Sequence, residues 1–390
     1  MASLCMRCAL RRRLQEVSST RTSARRTFSS SPAKRKGPLP QFTPTSQPEL
    51  DGILTSLREK ILIPAALGNR ERNLIFKDKH ATALRENPEF VTIGDEDVQL
   101  QHIDRTKDVP SLRREILPKA IEMMANGESE DWNNLPALLT GLKKAKRTPE
   151  YKVTGKIARK AIEAGEFKVI LRCLQKPEST QMTLRKPEVL YNVIYALRKT
   201  AQDEQWSEAA TSKAIRDAHT VTMLLEDAEH GSGSELREHD PRTRPDILAV
   251  YLELAAVYAV KHQEGKDVDG KVKAYAERVL FNMAALEAKG STELYSRVKV
   301  SSTGPQREMM RGIPVYHGLR LAMHVLGNEM PNAQLAHRVV SAWETGLSAM
   351  ADGLRAHATE KAGGKHRWPK SGTYGWTALR AWRSCLPIDK

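Results

Sequence analysis

The sequence predicts an all-α fold of degenerate helical hairpins, an α-solenoid-like arrangement, with one short β-hairpin near the N-terminus. Apolar residues recur at helical spacing from about residue 111 to about residue 357. Proline or a capping residue starts many of these segments, and Gly- or Pro-containing loops separate them. The segments also come in pairs whose second members carry Ala at close intervals. Small residues let two helices approach closely, as a helical hairpin requires.

Residues 1–28 have the composition of a mitochondrial presequence. They hold seven Arg and one Glu, and Ser and Thr fill much of the remainder. An Arg-rich, Ser-rich, acid-poor start is typical of a transit peptide. The stretch Arg26-Thr27-Phe28-Ser29 resembles the cleavage site of matrix precursors, so we expect cleavage after Phe28 and a location in the mitochondrial matrix. The alternative interpretation is a disordered basic tail that binds nucleic acid.

The charge balance points to a polyanionic partner. The whole chain carries +15, of which +9 remains after residues 1–28 are removed. RNA is the first candidate and anionic lipid the second. No run of eighteen apolar residues occurs, so no transmembrane segment is predicted. Cys173 and Cys385 lack spaced partners, which disfavours zinc or disulfide frameworks, and no cofactor is predicted.

The elements before residue 111 form a linker and an N-terminal extension. Residues 29–48 contain five prolines and predict an extended, mostly disordered linker. Residues 49–110 contain helical spacing over 50–62 and 70–86. Between them and the helical domain, Val91 and Ile93 alternate with polar residues, residues 94–97 form a turn, and Val98 and Leu100 alternate again. This pattern predicts a β-hairpin.

Residues 111–360 form the helical domain. Ser111 caps a helix that ends near residue 126, and Trp132 begins one that ends near residue 146. Thr148 and Pro149 are a start signal for a helix that Gly165 ends, and a short helix follows over 166–175. The later helices are predicted as three pairs, namely 187–200 with 206–229, 245–262 with 268–288, and 314–326 with 331–356. The alternative is a helical bundle without repeats.

No motif indicates catalysis. The segment Gly265–Lys271 has the spacing of a phosphate-binding loop, but Val272 occupies the position of the magnesium-binding Ser or Thr. The nucleophile elbow, the zinc-protease helix and the dinucleotide glycine fingerprint do not occur in the sequence. The chain is therefore expected not to be an enzyme.

The first candidate RNA-binding site is the basic stripe between residues 143 and 160. This segment contains eight cations and a single acidic residue, Glu150. Four of them fall on one face of a predicted helix, where like charges repel, and nucleic-acid phosphates would neutralise them. A merely solvated face is the alternative. The stripe comprises Lys143, Lys144, Lys146, Arg147, Lys152, Lys156, Arg159 and Lys160.

The second candidate is the basic, Trp-rich tail over residues 361–390. It holds three of the six tryptophans and a net charge of +6. Cations suit phosphates, and aromatic rings stack on unpaired bases. The alternative is that the tail docks on the last helices or on a partner protein. Its candidate RNA-binding residues are Lys365, Arg367, Trp368, Lys370, Trp376, Arg380, Trp382 and Arg383.

The run Tyr191-Asn192-Val193-Ile194-Tyr195-Ala196-Leu197 is similar to the start of a pentatricopeptide first helix. With the presequence and the basic body, residues 130–357 resemble mitochondrial pentatricopeptide and tetratricopeptide-like proteins. That group includes message-bound expression factors and small-subunit mitochondrial ribosomal proteins, and the segment after Arg26 resembles fungal precursors. The repeat spacing is irregular and paired base-reading residues cannot be placed, which favours a structural role.

The resemblance implies a structural ribosomal protein of the small subunit, with ribosomal RNA and other mitochondrial ribosomal proteins as partners. A free RNA-binding factor for message stability, processing or translation is the second hypothesis. A respiratory-complex assembly adaptor is the third. A matrix enzyme is the fourth, and it would require a pocket where scattered His and carboxylates converge.

Overall fold

The computed structural model describes residues 38–109, 111–233, 235–236, 240–289, 304–361, 369 and 373–385. This part of the chain is mostly helical, as the sequence predicts. Two strands, β1 (Phe90–Ile93) and β2 (Glu96–Gln99), form its sheet. The helices are α1 (Pro48–Leu57), α2 (Ile63–Ala66), α3 (Asn69–Phe76), α4 (Ala81–Glu86), α5 (Leu117–Asn126), α6 (Leu135–Lys144), α7 (Tyr151–Glu163), α8 (Phe167–Leu174), α9 (Pro177–Thr180), α10 (Pro187–Asp203), α11 (Glu208–Glu226), α12 (Pro245–His262), α13 (Lys271–Ala288), α14 (Pro305–Leu326), α15 (Ala333–Lys361) and α16 (Tyr374–Arg383).

The β-hairpin predicted from the alternating pattern in the N-terminal extension is present in the structure. β1 and β2 are antiparallel, and Ile93 pairs with Glu96. The turn is therefore the two residues Gly94 and Asp95, shorter than the expected 94–97. Gly94 has φ +67°, which favours glycine at a tight hairpin turn. The inward residues of the strands join a small core with α2, α3 and α4, which contains Leu39, Ile63, Leu67, Ile75, Leu84, Ile93, Val98 and Leu100.

Residues 38–47, the end of the predicted linker, form an extended strap across the helical domain. The amide of Thr43 donates to Asn134 Oδ1 at 2.8 Å, and Asn134 Nδ2 donates back to the Thr43 carbonyl at 3.0 Å. The amide of Ser46 donates to Asp131 Oδ1 at 2.7 Å. Asp131 and Asn134 are both buried. These bonds satisfy buried polar side chains and fix this stretch of backbone. Residues 38–47 are therefore extended, as predicted, but they are ordered by these bonds and not disordered.

Successive helical hairpins build the main domain. The hairpins are α7 with α8, α10 with α11, α12 with α13, and α14 with α15. Their first helices also pack on one another, α7 against α10, α10 against α12, and α12 against α14. One continuous core runs through all of them. The first helices therefore form a contiguous packed row through the domain.

The start of α14 differs from the prediction. The sequence places the start at Pro314, but α14 begins at Pro305 and Pro314 lies inside the helix. An internal proline costs about 3 kcal/mol. Met309 and Ile313 are fully buried in the earlier turns, and each such side chain contributes about 1.5–3 kcal/mol. Burial of these two side chains therefore offsets the proline.

The start of α7 also differs. Thr148 and Pro149 lie before the helix, which begins at Tyr151 after an extended Glu150. The amide of Arg147 donates to the Leu142 carbonyl, and Lys146 adopts a left-handed φ of +56°. This turn closes α6, and residues 147–150 then run without helical structure before α7 begins.

Close helix packing around α14 depends on glycine. A Cβ at Gly312 would overlap the indole of Trp343 on α15. A Cβ at Gly318 would lie 3.0 Å from the backbone nitrogen of Glu253 on α12. α14 can therefore approach both neighbours closely only because these positions have no side chain.

α12 lies at the centre of the domain and is buried on nearly every face. It carries Glu253, whose side chain is completely buried. Within the described ranges, no helix combines the length and the apolar character that crossing a bilayer requires.

Candidate functional site

The basic stripe lies where α6 turns into α7. Four of its eight cations make contacts within the protein. Lys144 Nζ donates to the carbonyl of Pro38 in the strap at 2.8 Å, and Lys143 donates to the carbonyl of Glu178. On α7, Arg159 pairs with Glu163 at 2.8 Å, and Lys160 pairs with Glu122 of α5 at 3.2 Å. These four side chains therefore have structural roles.

The other four cations of the stripe are Lys146, Arg147, Lys152 and Lys156. All four are exposed. None makes an ion pair with a carboxylate in the part of the chain that the structure describes. Lys152 Nζ lies 5.8 Å from the ring centre of Tyr151, which is itself half exposed. The charge available to a partner is therefore concentrated in the α6–α7 turn and on one face of α7.

The stripe and the tail meet at one groove. Its volume is about 1010 Å³, and residues of α7, α10, α12, α14 and α16 line it. Lys152, Lys156 and Arg159 of the stripe contribute to its wall, as do Trp376 and Arg380 of the tail. The structure therefore brings together two clusters that are more than two hundred residues apart in the sequence.

A buried carboxylate lies in the wall of this groove. Asp246 at the start of α12 accepts from Arg311 at 2.8 Å, Arg244 at 3.1 Å and the Tyr191 hydroxyl at 3.2 Å. Burial opposes its ionisation, but the two guanidinium groups outweigh burial and hold the pKa of Asp246 below its ordinary value. Burial raises the pKa of Tyr191 to about 12. The carboxylate of Asp246 is therefore already paired by cations of the chain itself.

The described part of the tail docks on its own domain. α16 packs against α14 and α15, and the ring of Trp382 lies 5.2 Å from that of Tyr316. Arg380 pairs with Asp203 of α10 at 3.1 Å, and its guanidinium lies 5.3 Å from the Trp376 ring. Arg383 is exposed. The predicted residues Lys365, Arg367, Trp368 and Lys370 lie outside the described residues.

A buried polar network fastens α16. Arg198 of α10 donates to Glu253 at 2.9 Å and to the Ala381 carbonyl at 3.2 Å. His317 of α14 lies 2.6 Å from Glu253, and Trp206 Nε1 donates to the Ser384 carbonyl at 3.0 Å. The sequence interpretation missed this network. One sign of the network was available in the sequence. Glu253 lies inside the strongest apolar run, and a charge buried there requires a partner.

The described residues contain no group of three or more His, Cys, Asp or Glu arranged to hold a metal ion. Burial raises the pKa of the Cys173 thiol to about 12, so that thiol stays protonated at neutral pH.

Comparison with known proteins identifies relatives. Residues 26–378 match the family described as mitochondrial ribosomal protein mS27. The chain is also similar to the small ribosomal subunit protein mS27 of Neurospora crassa, with 30% identity over 266 residues. The matched region covers 64% of this chain and 66% of that relative, just under two thirds of its length.

Proposed function

The chain belongs to the family of mitochondrial ribosomal protein mS27, and from that membership we propose that it is a structural component of the small subunit of the mitochondrial ribosome. The match over residues 26–378 carries this proposal, since it includes both the N-terminal extension and the helical domain. The relative in Neurospora crassa is described as a small-subunit protein. The acid-poor, Arg-rich first 28 residues support a matrix location.

The role proposed is non-catalytic. A row of stacked helical hairpins gives an extended surface along which several neighbours bind at once. The partners are ribosomal RNA and other mitochondrial ribosomal proteins.

The RNA contacts are proposed at the exposed cations that the fold does not use. Lys146 and Arg147 project from the α6–α7 turn and make no ion pair with a carboxylate in the described part of the chain. Cations in such a position bind phosphates and release counterions, which makes the binding dependent on salt. We also propose RNA contacts at Arg383 of α16 and at the tail residues Lys365, Arg367, Trp368 and Lys370, on the basis of their charge and aromatic character in the sequence.

Sedimentation of mitochondrial matrix lysate through a sucrose gradient tests the role. The protein should travel with the small subunit at high magnesium and stay with it at low magnesium, when the subunits separate. A protein that remains at the top of the gradient would exclude the ribosomal role. Crosslinking to RNA would then distinguish a message-bound factor from a respiratory-complex adaptor.

A further inference from the structure

We propose that the groove between α7, α10, α14 and α16 binds a peptide segment of a neighbouring protein, with apolar side chains in the groove and one or two carboxylates at its α7 wall. The proposal rests on the proposed ribosomal role only in that the neighbour is sought in the small subunit. Three features of the groove lead to it, namely its apolar lining, its unused cations and the carboxylates in its wall.

The lining of the groove is largely apolar. Ile162 of α7, Ile194 of α10, Ile247 and Val250 of α12, and Met310 of α14 all contribute. The volume of about 1010 Å³ lies at the upper end of the range, about 300–1000 Å³, of pockets that enclose drug-sized ligands. Apolar side chains on a short peptide would fill this space, and their burial would drive binding.

Most cations of the groove are already neutralised by the chain itself. Arg311 is paired with Asp246, and Arg198 with Glu253. Other intramolecular pairs join Arg159 to Glu163, Lys199 and Arg380 to Asp203, and Arg311 to Glu308. Arg307, which also lines the groove, interacts within the chain as well. Lys152 and Lys156 make no such pair in the part that the structure describes. The groove can therefore accept one or two negative charges, not a row of phosphates.

Carboxylates in the wall also favour a peptide over RNA. Oε2 of Glu188, at the start of α10, is buried and has no hydrogen-bond partner among the described residues. The negative charge of Glu188 repels a phosphate group, whereas the uncharged backbone of a peptide avoids that repulsion. α7 approaches Glu188 closely at Gly155, where a Cβ would lie 2.5 Å from Glu188 Cβ.

A photoreactive side chain placed in the groove tests the proposal. Met310→p-benzoylphenylalanine puts the crosslinker in the lining, and Phe281→p-benzoylphenylalanine puts it on the exposed surface of α13 as a matched control. Both full-length variants are irradiated in assembled small subunits. Co-sedimentation of each variant with the subunit is measured first, so that a failure of the ribosomal role is distinguished from a failure of the groove proposal.

The expected result is an RNase-resistant adduct at position 310 that is absent at position 281. Mass spectrometry should map the adduct to a segment of another protein in which acidic residues flank apolar ones. Lys152→Glu with Lys156→Glu should reduce its yield about tenfold, because two ion pairs become two repulsions. Lys266→Glu, on the α12–α13 turn, should leave it unchanged. An RNase-sensitive adduct, an adduct within this chain, no adduct at all, or an adduct insensitive to the charge reversal would each overturn the proposal.

Discussion

Nε of Arg198 on α10 lies 3.0 Å and 2.9 Å from the two carboxylate oxygens of Glu253 on α12, and both side chains are almost completely buried. Burial opposes the ionisation of Glu253, but the charge of Arg198 and the hydrogen bond from His317 outweigh burial and hold the pKa of Glu253 below its ordinary value. The same guanidinium donates to the carbonyl of Ala381 on α16. One ion pair therefore joins α10, α12 and α16, and His317 adds α14.

Removing the charge of Glu253 should destabilise the fold strongly. Glu253→Gln leaves the guanidinium of Arg198 buried without its counter-ion, and such a change costs about 3–5 kcal/mol of unfolding free energy. Urea unfolding of the mature protein measures the loss. Glu329→Gln is the control, since Glu329 forms an exposed pair with Lys273 at 3.0 Å, and an exposed pair contributes little to stability. Equal losses in the two variants would contradict the assignment.

Stability should fall as the pH drops below about 6.5. Burial lowers the pKa of His317 below its ordinary 6.5, so the unfolded chain binds a proton there that the folded chain excludes. The unfolding free energy then decreases with falling pH, by at most about 1.4 kcal/mol per pH unit for one group. Glu253 adds a loss of the same sign at lower pH, as pH falls through its depressed folded pKa.

His317→Asn, whose amide can still donate to Glu253, should reduce this pH dependence of urea unfolding. Burial also lowers the pKa of His230, so a smaller slope of the same sign should remain in the variant. An unchanged slope between pH 6.5 and pH 5 would refute the role given to His317.

Gly312→Ala should lower the free energy of unfolding. The new Cβ would overlap the Trp343 indole, and overpacking of a well-filled core costs about 1–3 kcal/mol. Gly353→Ala is the matched control, because it also lies in a helix and has nothing within 4 Å of the added Cβ. That control should gain about 0.5–1 kcal/mol from reduced backbone entropy. Thermal unfolding should therefore shift the two midpoints in opposite directions.

Binding to small-subunit ribosomal RNA should lose salt dependence when the α6–α7 turn is neutralised. Lys146→Gln with Arg147→Gln removes two phosphate contacts, which lowers the slope of log K against log salt by about 1.4–1.8. Filter binding at several salt concentrations measures the slope. Lys266→Gln, an exposed cation paired with Glu264 at 3.3 Å, should not change it. Identical slopes for the two variants would exclude the turn from the RNA contact.

The mature protein should begin at Ser29. The matrix peptidase pattern around Arg26 and Phe28 predicts this end, and N-terminal peptide mapping of the mitochondrial protein measures it. Arg26→Ala should leave a longer precursor in the organelle. A natural N-terminus elsewhere, unaffected by Arg26→Ala, would show that the pattern is not the cleavage site.

Helices were predictable from local signals wherever those signals were unambiguous. The bounds of α12 agree with the prediction, since Pro245 pre-organises the first turn and a polar loop follows His262. Pro314 was misassigned because a proline that starts a helix and one tolerated inside a helix look alike in sequence. Only the tertiary burial of Met309 and Ile313 distinguishes them.

The sequence predicted the two clusters of cations, but it did not predict that they line a single groove. The stripe and the tail were visible from their charge and their tryptophans. Their convergence depends on how α7 packs on α10 and how α16 crosses to reach Asp203, which no local pattern encodes. The sequence also did not reveal that Lys143 and Lys144 bind within the chain, because their partners are the backbone carbonyls of Glu178 and Pro38.

The contacts of Arg198 and Trp206 with α16 make the fold sensitive to the length of its own chain. Their acceptors, the carbonyls of Ala381 and Ser384, lie 183 and 178 residues further along. A product that stops before α16 would lack both acceptors and the packing of α16 on α14 and α15. Truncated copies would thus be less stable than complete ones and more readily degraded.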